Sequence, residues 1–240
     1  MKNIRDKVII QIGGYKRSGK DTISQMIANH YQSSGKLVDI FHYADPLKQI
    51  AASIFDVSLE QLDEFKNNKT ALIVEKKSSI LENIEYEIKS ETKEDDIFAK
   101  QAMILLNNNL RNIKEFEKLT DFREILMKIG NEAIKPVFGS DVWQKIMLEK
   151  IEKSEADIII IPDFRFTVEH IQNAVTVRIN NSDIINDTDH QSETELIDFD
   201  FDMSIDNTNY SQNQEEVSYY CEQMIDNYIK QKHGDMSWKK

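Results

Sequence analysis

The segment from Val8 to Thr22 limits the fold of this 240-residue chain more strongly than any other. Val8 to Ile12 is a short apolar run that predicts a buried β-strand, and this run ends at Gly13-Gly14. Apolar residues then recur at one-turn spacing from Ile23 to Ile27, which predicts a helix. A strand, a glycine-containing loop and a helix in direct succession are typical of an α/β protein with a parallel sheet.

The glycines of this loop have the spacing of a Walker A motif. Gly14 is followed by four residues, then by Gly19 and Lys20, and three of the chain's seven glycines lie in residues 13–19. A phosphate cradle needs uncrowded backbone N–H groups, a helix N-terminus and a cation that reaches the phosphates. The loop therefore predicts a site for ATP with Mg²⁺. The expected contacts are Gly14, Lys16, Ser18, Gly19, Lys20, Asp21 and Thr22.

The residue after the lysine departs from the common pattern. Asp21 stands where a Ser or Thr normally binds magnesium, and Thr22 comes one residue later. In this respect the loop resembles nucleoside monophosphate kinases of the adenylate kinase type, which also have a threonine one residue late. That resemblance implies that Thr22 is the candidate for phosphate or magnesium contact. A carboxylate repels phosphates. Asp21 is therefore expected either to contact the metal through a water molecule or to receive the reacting hydroxyl or an arginine. The alternative is an acid that only complements the helix dipole.

A second set of polar residues follows the run of four isoleucines within Asp157 to Ile161, which predicts a strand buried on both faces. Asp163 and Arg165 come just after it, at the edge where open α/β sheets bind ligands. We expect Asp163 to order magnesium and Arg165 to bind phosphate, and the alternative is a surface ion pair. Asp45 and Lys48 hold the corresponding place after a second predicted strand, Leu37 to Tyr43. They are candidates for an acceptor phosphate, with plain solvation the alternative for Lys48.

The rest of the chain predicts a division into core and insertion. Residues 1–55 and 120–240 are expected to form the α/β core, and the charged residues 56–119 a helical insertion. Strands are predicted at Ala174 to Ile179 and Met203 to Ile205. Helices are predicted from Asp45-Pro46, from Thr120-Asp121 to a stop at Gly130, around Trp143, and from Asn213 to Lys232. The acidic loop at about 180–202 is long enough to close as a lid that excludes water, with His190 as a hinge or lid contact.

Composition excludes several classes of function. The formal net charge of −12 argues against a protein that mainly binds nucleic acid, whose surface is usually basic. Cys221 is the only cysteine, so a disulfide within the chain is excluded and a reducing, cytoplasmic location is expected, with the thiol buried in a helix. No apolar stretch approaches membrane-spanning length, so no membrane partner is expected.

The loop sequence Gly-Tyr-Lys-Arg-Ser-Gly-Lys-Asp-Thr resembles the phosphate loop of bacteriophage deoxynucleoside monophosphate kinases, including those of the T-even phages. Other segments are similar to that family in order and approximate spacing. They are Tyr43 to Lys48, Arg123 to Glu132, the Trp143 helix, Pro162 to Arg165 and Asp189 to Glu193. The resemblance spans both ends of the core and leaves out the insertion, and Lys135 stands where many relatives have arginine.

The resemblance implies a P-loop kinase fold, ATP with Mg²⁺ as donor and a deoxynucleoside monophosphate as acceptor. It implies phosphate contacts for Lys20, Arg123 and Arg165, and Arg17 is expected to neutralise charge with them. The catalytic set is then Lys20, Arg17, Arg165 and Asp21. The expected substrate contacts are Asp45, Lys48, Arg123, Glu132, Lys135, Trp143, Asp163, Arg165, His190 and Glu193. Thr22 and Asp163 are the expected metal ligands.

Two other functions are left open. The animal phosphomevalonate kinases have a similar basic loop that ends in Gly-Lys-Asp, so the acceptor could be another small phosphate. The chain could instead be an ATPase switch whose insertion contacts a partner protein. Arginines beyond the loop favour the kinase, because a switch has less need to hold a second phosphate. The accepted base and the oligomeric state, a homodimer included, are not determined by the sequence.

Overall fold

The computed structural model describes residues 4–55, 57–62, 105, 108, 109, 126–183, 195–208, 219 and 223–230. The chain divides into two compact units, one formed by Met1–Tyr43 with Gln144–Lys240 and the other by Ala44–Trp143. These bounds differ from the expected insertion at 56–119, which lies almost entirely outside the described residues.

The first unit contains a five-stranded sheet in which every pair of neighbours is parallel. Its order is β2-β3-β1-β4-β5. The strands are β1 (Val8–Gly14), β2 (Val38–Ile40), β3 (Ile158–Ile161), β4 (Val175–Asn180) and β5 (Met203–Asp206). Helices flank the sheet, so the chain is α/β with an all-parallel central sheet, and this part of the prediction is confirmed.

The position of β1 at the centre of the sheet follows from its composition. Val8, Ile10 and Ile12 are fully buried and pack with Ile23 and Ile27 of helix α1 (Lys20–Ser33). All four isoleucines of β3 are likewise buried, as their uninterrupted run predicts. Burying each such side chain contributes about 1.5–3 kcal/mol, so both strands contribute strongly to the core. Their carboxyl ends meet at one edge, where the residues that follow them can converge.

The predicted helix stop at Gly130 is wrong. Residues 126–128 are helical, and the chain continues through a π-helical turn, Ile129–Ile134, into α3 (Lys135–Phe138). A glycine inside a helix costs only about 1 kcal/mol, which packing can offset. A Cβ added at Gly130 would lie 3.4 Å from Leu47 and 3.6 Å from Trp143, so its bare Cα packs between larger side chains. The helical stretch ends instead at Gly139, whose φ is +97°.

Two further helices lie close to their expected places. Helix α2 (Ala44–Phe55) begins two residues before Pro46, the predicted first helical residue, so Asp45 lies in its first turn instead of capping it. Helix α4 (Val142–Lys153) includes Trp143 as expected. Among the described residues, none of the helices combines the length and the apolar composition needed to cross a membrane.

Candidate functional site

The loop between β1 and α1, residues 13–19 and hereafter the glycine loop, ends in an open helix N-terminus. Ser18 N–H donates to the Tyr15 carbonyl oxygen at 3.1 Å, which makes a tight turn. The first intrahelical bond runs from Ile23 N–H to the Gly19 oxygen at 2.9 Å. The amides of the first turn that precede Ile23 therefore lack intrahelical acceptors, and such amides are the donors that bind anions at helix N-termini.

Three residues of the glycine loop have positive φ angles: Gly14 at +142°, Arg17 at +68° and Gly19 at +95°. For Arg17 the left-handed region costs about 1–2 kcal/mol, whereas glycine adopts it freely. Space also requires both glycines. A Cβ at Gly14 would lie 2.4 Å from the Ile179 carbonyl oxygen, and one at Gly19 would lie 2.2 Å from Asn207 Nδ2. The loop conformation therefore depends on Gly14 and Gly19.

Lys20 turns its ammonium group back onto the start of the loop. Its Nζ donates to the Gly14 carbonyl oxygen at 2.7 Å and to the Tyr15 carbonyl oxygen at 2.6 Å. The side chain is half-buried, so the cation is held against the loop backbone. It is therefore already placed where an anion bound by the loop amides would meet it.

Asn207, which sequence reasoning missed, ties the glycine loop to the end of β5. Its Nδ2 donates to the Ser18 carbonyl oxygen at 2.8 Å, and its backbone N–H donates to the Asn180 oxygen at 2.7 Å. Ser18 Oγ and Asn207 Oδ1 are buried without a hydrogen-bond partner among the described residues. The available signal was the position of Asn207, two residues after the predicted strand Met203 to Ile205 and therefore near the carboxyl edge of the sheet.

The other predicted residues of the loop and the first turn are exposed. They are Lys16, Arg17, Asp21 and Thr22. The Asp21 side chain is 88% exposed, and its Oδ1 lies 3.9 Å from Nε2 of His42, which follows β2. His42 was not predicted, and its proximity shows that residues after β2 reach the first turn of α1.

Asp163 and Arg165 occupy the predicted edge of the sheet. Asp163 is buried, and its Oδ1 accepts a hydrogen bond from Tyr43 N–H at 2.9 Å. Arg165 is half-buried and lines a small open pocket, hereafter the Arg165 pocket. The structure thus brings Arg165 together with Gly14 of the glycine loop. The residues that line this pocket are Gly14, Tyr15, Phe164, Arg165, Arg178, Leu196 and Phe201.

Arg178 is a second arginine in this pocket that sequence reasoning missed. It lies on β4 opposite Gly13 in the strand register. Its Nη1 donates to the carbonyl oxygens of Leu196 at 3.3 Å and Ile197 at 3.0 Å. The guanidinium carbon lies 5.7 Å from the Phe201 ring centroid, a distance typical of a cation–π contact. Its place inside a strand gave no signal of a site.

The end of the predicted lid contributes to the same pocket. Phe199 and Phe201 are half-buried, and their rings lie 5.1 and 6.1 Å from that of Phe164. These phenylalanines alternate with aspartates in the sequence, and the whole segment reads as an acidic loop. The alternation instead places the aromatic side chains against the sheet, with Phe201 covering Gly13, where a Cβ would lie 2.7 Å from the ring.

A buried network of hydrogen bonds connects the chain just after the Asp163–Arg165 segment to the sheet. Gln11, fully buried in β1, donates from Nε2 to the Glu169 carbonyl oxygen at 2.9 Å and accepts from Ile171 N–H at 2.8 Å. Tyr43 donates from its hydroxyl to the same Glu169 oxygen at 2.6 Å. Burial raises the pKa of Tyr43 well above its ordinary range, so the hydroxyl remains a donor. The Glu169 backbone is therefore fixed to the sheet.

The Glu169 side chain is buried as well, and it holds the backbone of the preceding turn. Its Oε2 accepts hydrogen bonds from Arg165 N–H at 2.9 Å and Phe166 N–H at 3.1 Å. Burial raises the pKa of this carboxyl group to about 8, and the nearby Asp163 adds to the rise. The two backbone N–H groups and Arg165 act in the opposite direction.

We expect the Glu169→Gln variant to change the pH dependence of stability. Because the folded-state pKa lies above the ordinary 4.5, the stabilisation from protonated Glu169 is complete below pH 4.5 and is lost as pH rises towards 8. The wild type should lose up to about 5 kcal/mol relative to the glutamine variant across this window. Urea unfolding of both proteins at several pH values measures this difference. A difference in the free energy of unfolding that stays constant with pH would contradict a raised pKa for Glu169.

The remaining predicted contacts that the structure describes belong to the second unit. Within the Ala44–Trp143 unit, Asp45 and Lys48 are half-buried in α2, Glu132 is exposed in the π-helical turn, and Lys135 and Trp143 are half-buried. Arg123, His190 and Glu193 lie outside the described residues, as does Cys221.

A magnesium site at this edge would have few protein ligands. Within the described part of the chain, no three His, Cys, Asp or Glu side chains form a group that could hold a metal ion. Magnesium often binds proteins through one or two oxygen ligands, with substrate phosphates and water completing its shell. The Thr22 hydroxyl and the Asp163 carboxylate are donors of that kind, so the residues present fit such a site.

Comparison with known proteins gives no family for this chain. No model of a known protein family matches the sequence, and no curated protein matches it either.

Proposed function

We propose that this chain is a P-loop phosphotransferase that moves the γ-phosphate of ATP to a deoxynucleoside monophosphate, giving ADP and a deoxynucleoside diphosphate. The observation that supports this most strongly is the convergence of three features at one edge of the sheet. They are the open N-terminus of α1, the Lys20 ammonium folded onto the glycine loop, and Arg165 in a pocket beside Gly14.

The donor triphosphate would bind at the glycine loop. Backbone amides of the first turn of α1 would donate to its phosphate oxygens, because they lack intrahelical acceptors. Lys20 would exchange the carbonyl oxygens of Gly14 and Tyr15 for phosphate oxygens, with little movement of its ammonium group. Mg²⁺, when bound, would neutralise phosphate charge, with Thr22 and Asp163 as its ligands on this chain.

Arginines would neutralise the charge that spreads over the transferred group. Arg165 is best placed for this, since it lines the pocket next to Gly14, and Arg178 lines the same pocket. Arg17 is exposed on the glycine loop, where its backbone has a left-handed conformation. We assign Arg123 to the same role on the resemblance alone. Asp21 would receive the reacting group or an arginine, with His42 beside it.

The acceptor would be held by Asp45, Lys48, Glu132, Lys135 and Trp143, and His190 and Glu193 would contact substrate from a closing lid. An oxygen of the acceptor phosphate would attack the γ-phosphorus, and the bond to the β-phosphate oxygen would break as ADP leaves. Transfer would be direct, so labelled ATP alone should leave no label on the protein. We place the enzyme in the cytoplasm, that of the host if the chain is of phage origin.

ATP consumption should depend strictly on an added deoxynucleoside monophosphate. The test is a coupled ADP assay with ATP and Mg²⁺, run with each of the common ribo- and deoxyribonucleoside monophosphates and without acceptor. We expect turnover with one or more deoxynucleotides and a background at least 100-fold lower without them, because water is a poor substitute for a positioned acceptor.

The same assay separates the alternatives. ATP turnover with another small phosphorylated compound, but with none of the nucleoside monophosphates, would indicate a kinase with a different acceptor. Hydrolysis that needs no acceptor and rises with a protein or DNA partner would identify a nucleotide-dependent switch and contradict the proposal.

A further inference from the structure

The connection between β3 and β4 contains a buried acid that the proposed chemistry does not use. Glu169 closes the short turn Thr167–Glu169, and the residue is 5% exposed. Burying an ionisable group is unfavourable unless its polar atoms are paired. Here one oxygen, Oε2, accepts from two consecutive amides, those of Arg165 and Phe166. The Glu169 carboxyl group therefore holds the backbone at Arg165 and Phe166.

The other end of Glu169 is fixed to the sheet. Its carbonyl oxygen accepts from Gln11 Nε2 at 2.9 Å and from the Tyr43 hydroxyl at 2.6 Å. Gln11 belongs to the central strand β1, and Tyr43 N–H in turn donates to Asp163 Oδ1 at 2.9 Å. A continuous chain of hydrogen bonds thus connects the centre of the sheet, through Glu169, to the backbone of Arg165.

We propose that Glu169 is a positioning residue for phosphoryl transfer: its carboxyl oxygen fixes the Arg165-Phe166 backbone so that the Arg165 side chain stays in the pocket beside Gly14. This inference rests on the proposed function. Arginine is long and flexible, and a displacement of about 1 Å in a group that contacts the reacting phosphate can cost 100-fold in rate. A fixed backbone removes much of that freedom before substrate binds.

The test compares two side chains of equal length at position 169. Glu169→Gln keeps an oxygen that accepts from both amides, and Glu169→Met fills a similar volume without an acceptor. We expect kcat/KM for the deoxynucleoside monophosphate to stay within about 3-fold of wild type for Glu169→Gln. For Glu169→Met we expect a fall of roughly 10- to 100-fold, mainly in kcat. Glu152→Met, an exposed position on α4, is the matched control and should be unchanged.

A double-mutant cycle tests whether Glu169 acts through Arg165. Arg165→Ala should lower kcat, and adding Glu169→Met to it should cause little further loss, because the group that Glu169 positions is then gone. Additive losses in the double variant, a Glu169→Met enzyme as active as wild type, or a Glu169→Gln enzyme as impaired as Glu169→Met would each overturn the inference. Circular dichroism establishes that the variants fold.

Two outcomes need separate treatment. If Glu169→Met does not fold, Glu169→Asp replaces it. Aspartate keeps the carboxyl group but withdraws it by one methylene from the amides of Arg165 and Phe166, so kcat should fall. A wild-type protein without acceptor-dependent ATP consumption would overturn the proposed function and this inference together. An active wild type with a folded, fully active Glu169→Met or Glu169→Asp variant would overturn the inference alone.

Discussion

Lys20→Met should lower kcat by about 1,000-fold while the protein stays folded. The loss of one well-placed donor to a developing negative charge costs roughly 100- to 1,000-fold, and the lysine also supplies a full charge. The fold should survive because the acceptors that Lys20 leaves, the carbonyl oxygens of Gly14 and Tyr15, lie in a half-exposed loop that water can reach. Methionine keeps the length of the side chain and removes only the cation.

The measurement for Lys20 is steady-state kcat at saturating ATP, Mg²⁺ and the best monophosphate, with unfolding in urea as the check on the fold. Lys145→Met is the matched control, because Lys145 is an exposed lysine on α4 that has no assigned role in the site. It should retain wild-type turnover. A Lys20→Met enzyme with near-normal kcat would exclude Lys20 from the reaction and remove the main support for a P-loop kinase.

The part of this fold that is predictable from sequence is the part set by local pattern. The strand of four isoleucines and the succession of β1, glycine loop and α1 are each encoded in a single continuous segment, Ile158–Ile161 and residues 8–33. The rule that ligands bind at the carboxyl edge of parallel strands then placed Asp163 and Arg165. Since β1 and β3 are neighbours in the sheet, that rule was enough to bring Arg165 into the pocket beside Gly14.

The part that sequence reasoning missed depends on contacts between distant residues. Gln11 and Glu169 are 158 positions apart, and Asn207 and Ser18 are 189 positions apart. The local sequence around Gln11 or Glu169 does not mark either residue, since one is a glutamine inside a strand and the other a glutamate in a turn. Their roles follow only from which strands become neighbours. Gly130 shows the converse, since a local stop signal was overridden by its packing against Leu47 and Trp143.

Gly14→Ala should destabilise the protein by roughly 2–4 kcal/mol and abolish ATP binding. The added Cβ would lie 2.4 Å from the Ile179 carbonyl oxygen, and Gly14 and Ile179 are register partners in the β1–β4 ladder. Backbone cannot swing aside as a flexible side chain can, so one strand end must move. That movement would also displace the Gly14 carbonyl oxygen on which the Lys20 ammonium rests. Stability and nucleotide affinity should therefore fall together.

Gly35→Ala separates this steric effect from backbone strain. Gly35 also has a positive φ, +81°, but a Cβ there meets nothing within 4 Å. It should cost only about 1–2 kcal/mol, the penalty of a left-handed alanine, and leave ATP binding intact. Urea unfolding and calorimetric titration with ATP measure both quantities for the two variants. Equal losses of stability would mean that φ alone sets the cost at Gly14. Because the Ile179 carbonyl oxygen leaves no room at Gly14, we expect the larger loss there, with nucleotide binding lost in that variant alone.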